Sequence, residues 1–199
     1  GWRTRSDTAS AGQVRGMHSW IANNSDRWIS AGSYNKLYVY SGAGIQYDIT
    51  PTGFTAGNED ALTPVGYGNS FYGLEYYGTP RQESVTITPA TTWSMDSWGQ
   101  YLVACSSTDG KVYEWQLSTG TIAAVVANAP VNNRSILVTE ERFLMCLGAG
   151  GNPRLVQWSD REDNTVWTPA ATNEAGSLEL QTTGRIQCGV RVQNQALIL

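Results

Sequence analysis

The sequence is poor in charge and in the residues on which most enzyme chemistry depends. Of its 199 residues only 15% are charged, against about 25% in an average soluble domain, and it contains one histidine and two lysines. A hydrophobic content of 41% and a net charge of −4 exclude a disordered tail, which needs low hydrophobicity and high net charge. The scattered arginines argue against a surface that grips nucleic acid, because such a surface needs clustered positive charge.

Cysteine and long apolar runs are scarce as well. Cys105, Cys146 and Cys188 are an odd number without C-x-x-C spacing, so neither a disulfide framework nor a zinc site is predicted. Each cysteine lies in an apolar strand pattern, where we expect a small hydrophobe, and a reducing compartment is expected. The sequence has no apolar run of roughly 18 residues, so no membrane contact is predicted. No cofactor or metal is predicted either.

The sequence also has few residues and motifs that could act in catalysis. His18 lies beside Trp20 on a predicted strand, where we expect a core or rim histidine rather than a general base. The sequence has no G-x-S-x-G, H-E-x-x-H or Walker motif. The glycine-rich stretch 148–153 leads into a strand rather than a helix, so it is predicted to be a hairpin turn and not a phosphate loop. No catalytic residue is predicted.

Two acidic segments deserve separate mention. Asp160 and Asp163 lie in a cluster with Arg161, which we interpret as a solvated turn rather than a Ca²⁺ site. The same carboxylates are the candidates if the protein cleaves glycans, since glycosidases need two carboxyl groups at a suitable separation.

Residues 107–115 resemble the Asp-box turn of sialidase propellers, although Gly110 follows Asp109 directly and the tryptophan comes later than in that motif. Such a turn is structural.

What the sequence does have is glycine and aromatic residues, with 21 Gly, 8 Trp and 10 Tyr. Alternating strand formers outnumber straight-chain helix formers, which is typical of an all-β protein with glycine-rich turns. One hairpin pattern occurs three times: an aromatic residue opens the first strand, and a basic residue followed four positions later by Tyr or Trp marks the second. The three copies begin at Trp28, Tyr101 and Phe143.

The repeat predicts a β-propeller. Each hairpin has an alternating segment before it and another after it, which gives the four antiparallel strands of a propeller blade. Tyr101 and Phe143 are 42 residues apart, a separation typical of one blade. We predict blades near residues 17–50, 91–126 and 134–170 and the start of a fourth at 186–199, with residues 165–168 as the outer strand of the third. The chain then forms part of one propeller, because closed propellers use 4 to 8 blades. A sandwich or a barrel is the alternative.

Residues 52–89 are a Gly- and Tyr-rich insertion between the first two blades. Such a stretch either folds onto its own domain as an Ω-like flap or offers aromatic anchors to a partner, with a carbohydrate-stacking site as a third option. The predicted partner contacts are the aromatic residues Tyr67, Phe71, Tyr72, Tyr76 and Tyr77.

Several stretches together resemble a known family. The runs at 15–24, 66–73, 89–94, 157–163 and 167–169 are similar to those of tailed-bacteriophage virion proteins with propeller-like repeats, of the tail nozzle or hub type. The resemblance implies a structural protein made in the host cytoplasm and placed in the tail or head-to-tail region of the virion. It implies a ring around the DNA exit channel, built with copies of the chain and neighbouring tail proteins. Genomic DNA would pass nearby without specific binding.

The sequence therefore gives three functional expectations. The first is a non-enzymatic building block of a phage virion, in agreement with the resemblance. The second is a receptor- or carbohydrate-binding propeller, and the third is a glycan-cleaving propeller enzyme that uses carboxylates such as Asp160 and Asp163.

Overall fold

Alternating apolar and polar residues build an all-β protein in which each strand belongs to a small antiparallel sheet. The computed structural model describes residues 8–61, 88–192 and 195–199. Within that part of the chain, one 3₁₀ turn at Ala149–Gly151 is the only helical segment. The predicted all-β propeller architecture of four-stranded antiparallel blades is confirmed.

Three sheets have four strands each, and in every one the strands pair in the order in which they occur along the chain. The first blade consists of β1 Gly16–Ile21, β2 Arg27–Gly32, β3 Leu37–Ser41 and β4 Gln46–Asp48. The second consists of β5 Trp93–Trp98, β6 Tyr101–Ser106, β7 Val112–Trp115 and β8 Ala124–Val125. The third consists of β9 Ser135–Val138, β10 Leu144–Leu147, β11 Leu155–Trp158 and β12 Gly176–Glu179. A two-stranded sheet follows, β13 Gly189–Val192 and β14 Gln195–Ile198.

The outer strand of the third blade lies elsewhere than predicted. The expected strand at residues 165–168 is wrong, because the fourth strand is β12. Trp167 lies instead in a loop, where it is buried and its indole N–H donates to the carbonyl of Asn164 at 2.7 Å. A buried tryptophan in a loop produces the same local pattern as a strand residue.

The blades pack face to face through their apolar side chains. Between the first two blades, Trp28 and Trp115 meet edge to face with ring centroids 5.2 Å apart, an arrangement favoured by the aromatic quadrupole. Two indole N–H groups cross the same boundary: Trp20 donates to the carbonyl of Gln100 at 3.0 Å and Trp93 to the carbonyl of Ser33 at 2.7 Å. The indole N–H groups of these buried tryptophans thus fix the position of the first blade against the second.

Two glycines allow close approach. Gly32 lies against the ring of Trp93, and a Cβ there would fall 2.4 Å from Cδ1 of the indole. Gly110 has φ +68°, in the left-handed region, and its missing side chain leaves room for the backbone of Asn132. Both positions require glycine for steric reasons.

The cysteines divide into two classes. Cys105 and Cys146 are buried between the second and third blades, as expected of small hydrophobes. The same expectation for Cys188 is wrong, since this residue precedes β13 and is exposed.

Candidate functional site

The first strand of every sheet lies on the inner side of the array. β1 contacts β5, β5 contacts β9, and β9 contacts β13, so the four strands are neighbours in chain order although they belong to different sheets. This is the arrangement of propeller blades around an axis, and it places the side chains of these inner strands together.

Side chains of β5 supply the hydrogen bonds that join the second and third blades at the inner side. The hydroxyl of Ser94 donates to the carbonyl of Ile136 at 2.8 Å, and the N–H of Ile136 lies 3.1 Å from the same oxygen. Oδ2 of Asp96 accepts from the N–H of Val138 at 2.9 Å. Two short polar side chains thus satisfy backbone groups of β9 that no strand of its own sheet reaches. Nothing in the local sequence pattern identified these two residues as a joint.

His18 of the first blade lies in the same inner region, where side chains of the second blade and of the sheet β13–β14 surround it. Its Nε2 is 2.9 Å from Oγ of Ser97, and its ring stacks on Trp20 with centroids 5.9 Å apart. Burial lowers the pKa of His18 below its usual 6.5, the Asp96 carboxylate opposes that shift, and the Arg191 guanidinium on β13 reinforces it. The imidazole of His18 is thus held by a stack and a hydroxyl, and the reading as a core or rim histidine stays a prediction.

The first blade has one apolar face that no other blade covers in the described part of the chain. Trp20 and Trp28 point toward the second blade, so by strand alternation Met17, Ile21 and Ile29 point away from it. Met17 and Ile21 are 67% and 62% exposed. A groove of about 520 Å³ runs over this face; it is lined by Met17, Arg27, Ile29, Tyr40, Ser41, Gly42 and Gly44. We call this surface the first end face.

A second apolar face, which no blade covers among the described residues, lies at the other end of the array. Val190 and Leu197 stand directly opposite each other on β13 and β14 and are about half exposed, as is Val192. On the reverse side of the same hairpin, Ile198 packs against the cluster around Leu147 of the third blade. We call the exposed surface, Val190, Val192, Leu197 and Leu199, the second end face.

The acidic turn makes local hydrogen bonds through one oxygen of each of two carboxylates. Oδ1 of Asp160 accepts from the N–H groups of Arg161 and Glu174, at 2.9 and 2.8 Å. Oδ1 of Asp163 accepts from the N–H and the hydroxyl of Thr165, at 2.8 and 2.6 Å, which lowers the pKa of Asp163. Both carboxylates therefore shape the turn.

Asp109, in the turn resembling an Asp-box, is a buried structural carboxylate. Its side chain is 1% exposed and accepts from the hydroxyl of Tyr113, from the N–H of Thr55 at 3.1 Å and from Nζ of Lys111 at 3.2 Å. Burial acts to raise the pKa of Asp109, but these donors outweigh it and the pKa is lowered. The turn thereby ties the second blade to the segment that follows the first.

The predicted partner contacts Tyr67, Phe71, Tyr72, Tyr76 and Tyr77 lie outside the described residues. Among the residues that are described, no three His, Cys, Asp or Glu side chains group as metal ligands would. No helix in that part of the chain is long and apolar enough to cross a membrane.

Comparisons of the chain with protein families, with curated proteins and with solved structures find no match. The inner strands and the two end faces are thus interpreted from their geometry. The end faces were missed as a site in the sequence, although β1 carries a signal for them: Met17 and Ile21 are apolar on the face opposite to Trp20.

Proposed function

We propose that this chain is a non-enzymatic structural component of a phage virion, in the tail nozzle or hub or the head-to-tail region. There its blades form part of a ring around the DNA channel, in contact with further copies and with neighbouring tail proteins. The pair of end faces is the observation that carries the ring, and the sequence resemblance supports the virion setting.

The end faces support assembly because each is built like the buried faces between blades. Every internal blade has apolar side chains on both sides, and each side contacts one neighbour. The first end face corresponds to the side that a blade presents to its predecessor, and the second to the side that it presents to its successor. Exposed apolar patches mark interaction surfaces, and two different faces on one chain allow a head-to-tail contact, which forms a ring when the rotation between copies closes.

The charge of the chain suits a ring that DNA traverses. The chain has 13 Lys and Arg against 17 Asp and Glu, a net charge of −4. Retention of DNA would need clustered lysine and arginine that displace counterions from phosphates. A mixed surface of this kind lets the nucleic acid pass.

Electron microscopy and native mass measurement test the ring. We expect ring-shaped assemblies of the purified chain, and Met17→Asp, which puts a charge on the first end face, should reduce them to smaller species. Val14→Asp is the matched control, because Val14 is also exposed but precedes β1. A monomer at all concentrations would contradict the ring.

Immunogold labelling of the particles that contain this chain tests the virion setting separately. Labels at the tail or at the portal end are expected. Labels elsewhere, or a chain that is absent from purified particles, would remove the virion role and leave the ring to be judged on its own.

A receptor- or carbohydrate-binding role is the second candidate, and the groove of the first end face favours it, because Tyr40 offers an aromatic ring beside the groove. A glycan array probed with the labelled chain and with Tyr40→Ala decides between the two. Binding that Tyr40→Ala removes would favour the second candidate, and turnover of a glycan would favour the third, an enzyme.

A further inference from the structure

A groove of about 440 Å³ lies between the second and third blades, at the outer strands of the second. One wall is formed by β7, by β8 and by the residues next to β8, and the other by Asn164 and Thr165 in the loop after β11. Both blades have four strands and are neighbours in the array. The groove is therefore an internal feature of the fold, bounded by the chain on both sides.

Glu114 occupies a position on β7 where the strand pattern predicts an apolar residue. Val112 packs in the cluster between the second and third blades, whereas Tyr113 and Trp115 pack in the cluster with the first blade. Because side chains alternate along a strand, Glu114 faces the third blade together with Val112. A charge at such a position costs stability unless it is paired, and exceptions to the strand pattern are expected at functional sites.

Two amide groups orient the Glu114 carboxylate without neutralising it. Nδ2 of Asn164 donates to Oε2, and Nε2 of Gln116 donates to Oε1 at 2.7 Å. The ion pairs among the described residues all involve other carboxylates. The carboxylate is thus held in one orientation at the groove, and its negative charge has no cationic partner in the described part of the chain.

Asn164 adds a second acceptor to the groove. This residue is only 8% exposed, and its backbone carbonyl accepts from the indole N–H of Trp167 at 2.7 Å. Because only an amide nitrogen can donate to a carboxylate, the contact with Glu114 identifies the other side-chain atom as the oxygen. Within residues 8–61, 88–192 and 195–199 that oxygen, Oδ1, accepts no hydrogen bond, and it is not sealed from solvent as Oδ1 of Asn133 is. The groove therefore presents a charge without a counterion and an acceptor without a donor.

We propose that this groove binds an alkylammonium group, from a free amine or from a lysine side chain of another protein. The ammonium brings a positive charge and several donors, which bond to the Glu114 carboxylate and to Oδ1 of Asn164. Its alkyl stem lies against Ile122 and Val125, which line the groove and are about half exposed. An apolar stem with a charged head is the form that suits a wall of this kind. This inference does not depend on the virion role.

A metal ion suits the same groove less well. Ca²⁺ takes roughly six to eight oxygen ligands, with carboxylates prominent among them. Glu114 is the one carboxylate that lines the groove in the described part of the chain. The half-exposed apolar wall also gives a metal ion nothing to bind, whereas it covers an alkyl stem.

Titration of the full chain with n-hexylamine tests the proposal. The NMR signal of the Trp167 indole N–H is the readout, because that group bonds to the backbone of Asn164. Near pH 7 the amine is protonated, and we expect a saturable shift of this signal. Hexan-1-ol, which has the same stem without the charge, should bind about tenfold more weakly or worse, as expected when one partner of a charge pair is removed.

Lysine blocked at its backbone amino and carboxyl groups separates the two sources of the group. Binding comparable to that of hexylamine supports a protein side chain as the occupant. Binding of hexylamine alone supports a free amine.

Two glutamine variants locate the binding. Glu114→Gln removes the charge with little change of shape, and it should weaken hexylamine binding about tenfold or more. Glu141→Gln is the matched control, because it changes the net charge equally at an exposed residue that does not line this groove. It should leave binding unchanged. Circular dichroism and the urea midpoint establish that both variants fold.

Three results would overturn the proposal. The first is the absence of any shift with hexylamine. The second is equal binding of hexylamine and hexan-1-ol to wild type, which would make the groove an apolar site only and needs no variant. The third is an equal loss of binding in Glu114→Gln and Glu141→Gln, which would indicate an effect of net charge rather than a site.

Discussion

The joint between the second and third blades gives the sharpest prediction. Asp96 and Ser94 act as hydrogen-bond partners for the backbone of β9, a role that belongs to a neighbouring strand in an ordinary sheet. Asp96→Ala removes the acceptor of the N–H of Val138, a residue that is 2% exposed. Because a buried donor without an acceptor loses about 1–3 kcal/mol, we expect a loss of that size in the free energy of unfolding.

Asp96→Asn is the matched control, since its amide oxygen still accepts from Val138. We expect less than about 1 kcal/mol of destabilisation from it, in the range of a retained neutral hydrogen bond. Ser94→Ala removes the partner of both backbone groups of Ile136 and should cost about 1–3 kcal/mol. The double variant should lose less than the sum, because both residues act on the same strand.

Urea unfolding followed by tryptophan fluorescence measures these losses. With a slope of about 2 kcal/mol per molar urea, Asp96→Ala should move the midpoint down by about 0.5–1.5 M. At pH 8 the imidazole of His18 is neutral. The loss of its interaction with the Asp96 carboxylate therefore does not add to the measured change in stability. An Asp96→Asn variant as unstable as Asp96→Ala would contradict this role of the carboxylate, and so would alanine variants that both keep the midpoint of wild type.

Three further predictions follow from single residues. Since the pKa of His18 is lowered on folding, the unfolded chain binds more protons and stability should fall as the pH drops below 6.5; His18→Gln should flatten the slope of unfolding free energy between pH 7.5 and 5.5. Asp109→Ala should cost about 2–4 kcal/mol in urea unfolding, because it leaves buried donors unpaired, whereas Asp109→Asn should cost less. Of the three thiols, Cys188 should react with a thiol reagent at once under native conditions, while Cys105, whose pKa burial raises to about 12, and Cys146, whose pKa burial also raises, should react only on unfolding.

The blade architecture could be predicted because it is written locally and repeated. Each hairpin alternates apolar and polar residues around a glycine turn, as at Gly110. Three copies, two of them separated by the length of one blade, favour one fold over its competitors. The strand assigned to residues 165–168 fails for a local reason as well. Trp167 is an apolar residue held by a loop, while the real strand β12 exposes Leu178 and Glu179 and carries a weak pattern.

The end faces could not be predicted from the sequence, because they depend on which blades are neighbours. Val190 and Val192 alternate on β13 in the same way as Val103 and Cys105 on β6, yet the first pair is about half exposed and the second is buried. The local sequence shows that one face of a strand is apolar. Only the order of the blades shows whether a neighbouring blade covers that face. The apolar faces at the two ends of the array therefore have the sequence pattern of core residues but are exposed like the residues of an interface. That combination supports the assembly proposed above, because exposed apolar patches of this kind mark interaction surfaces.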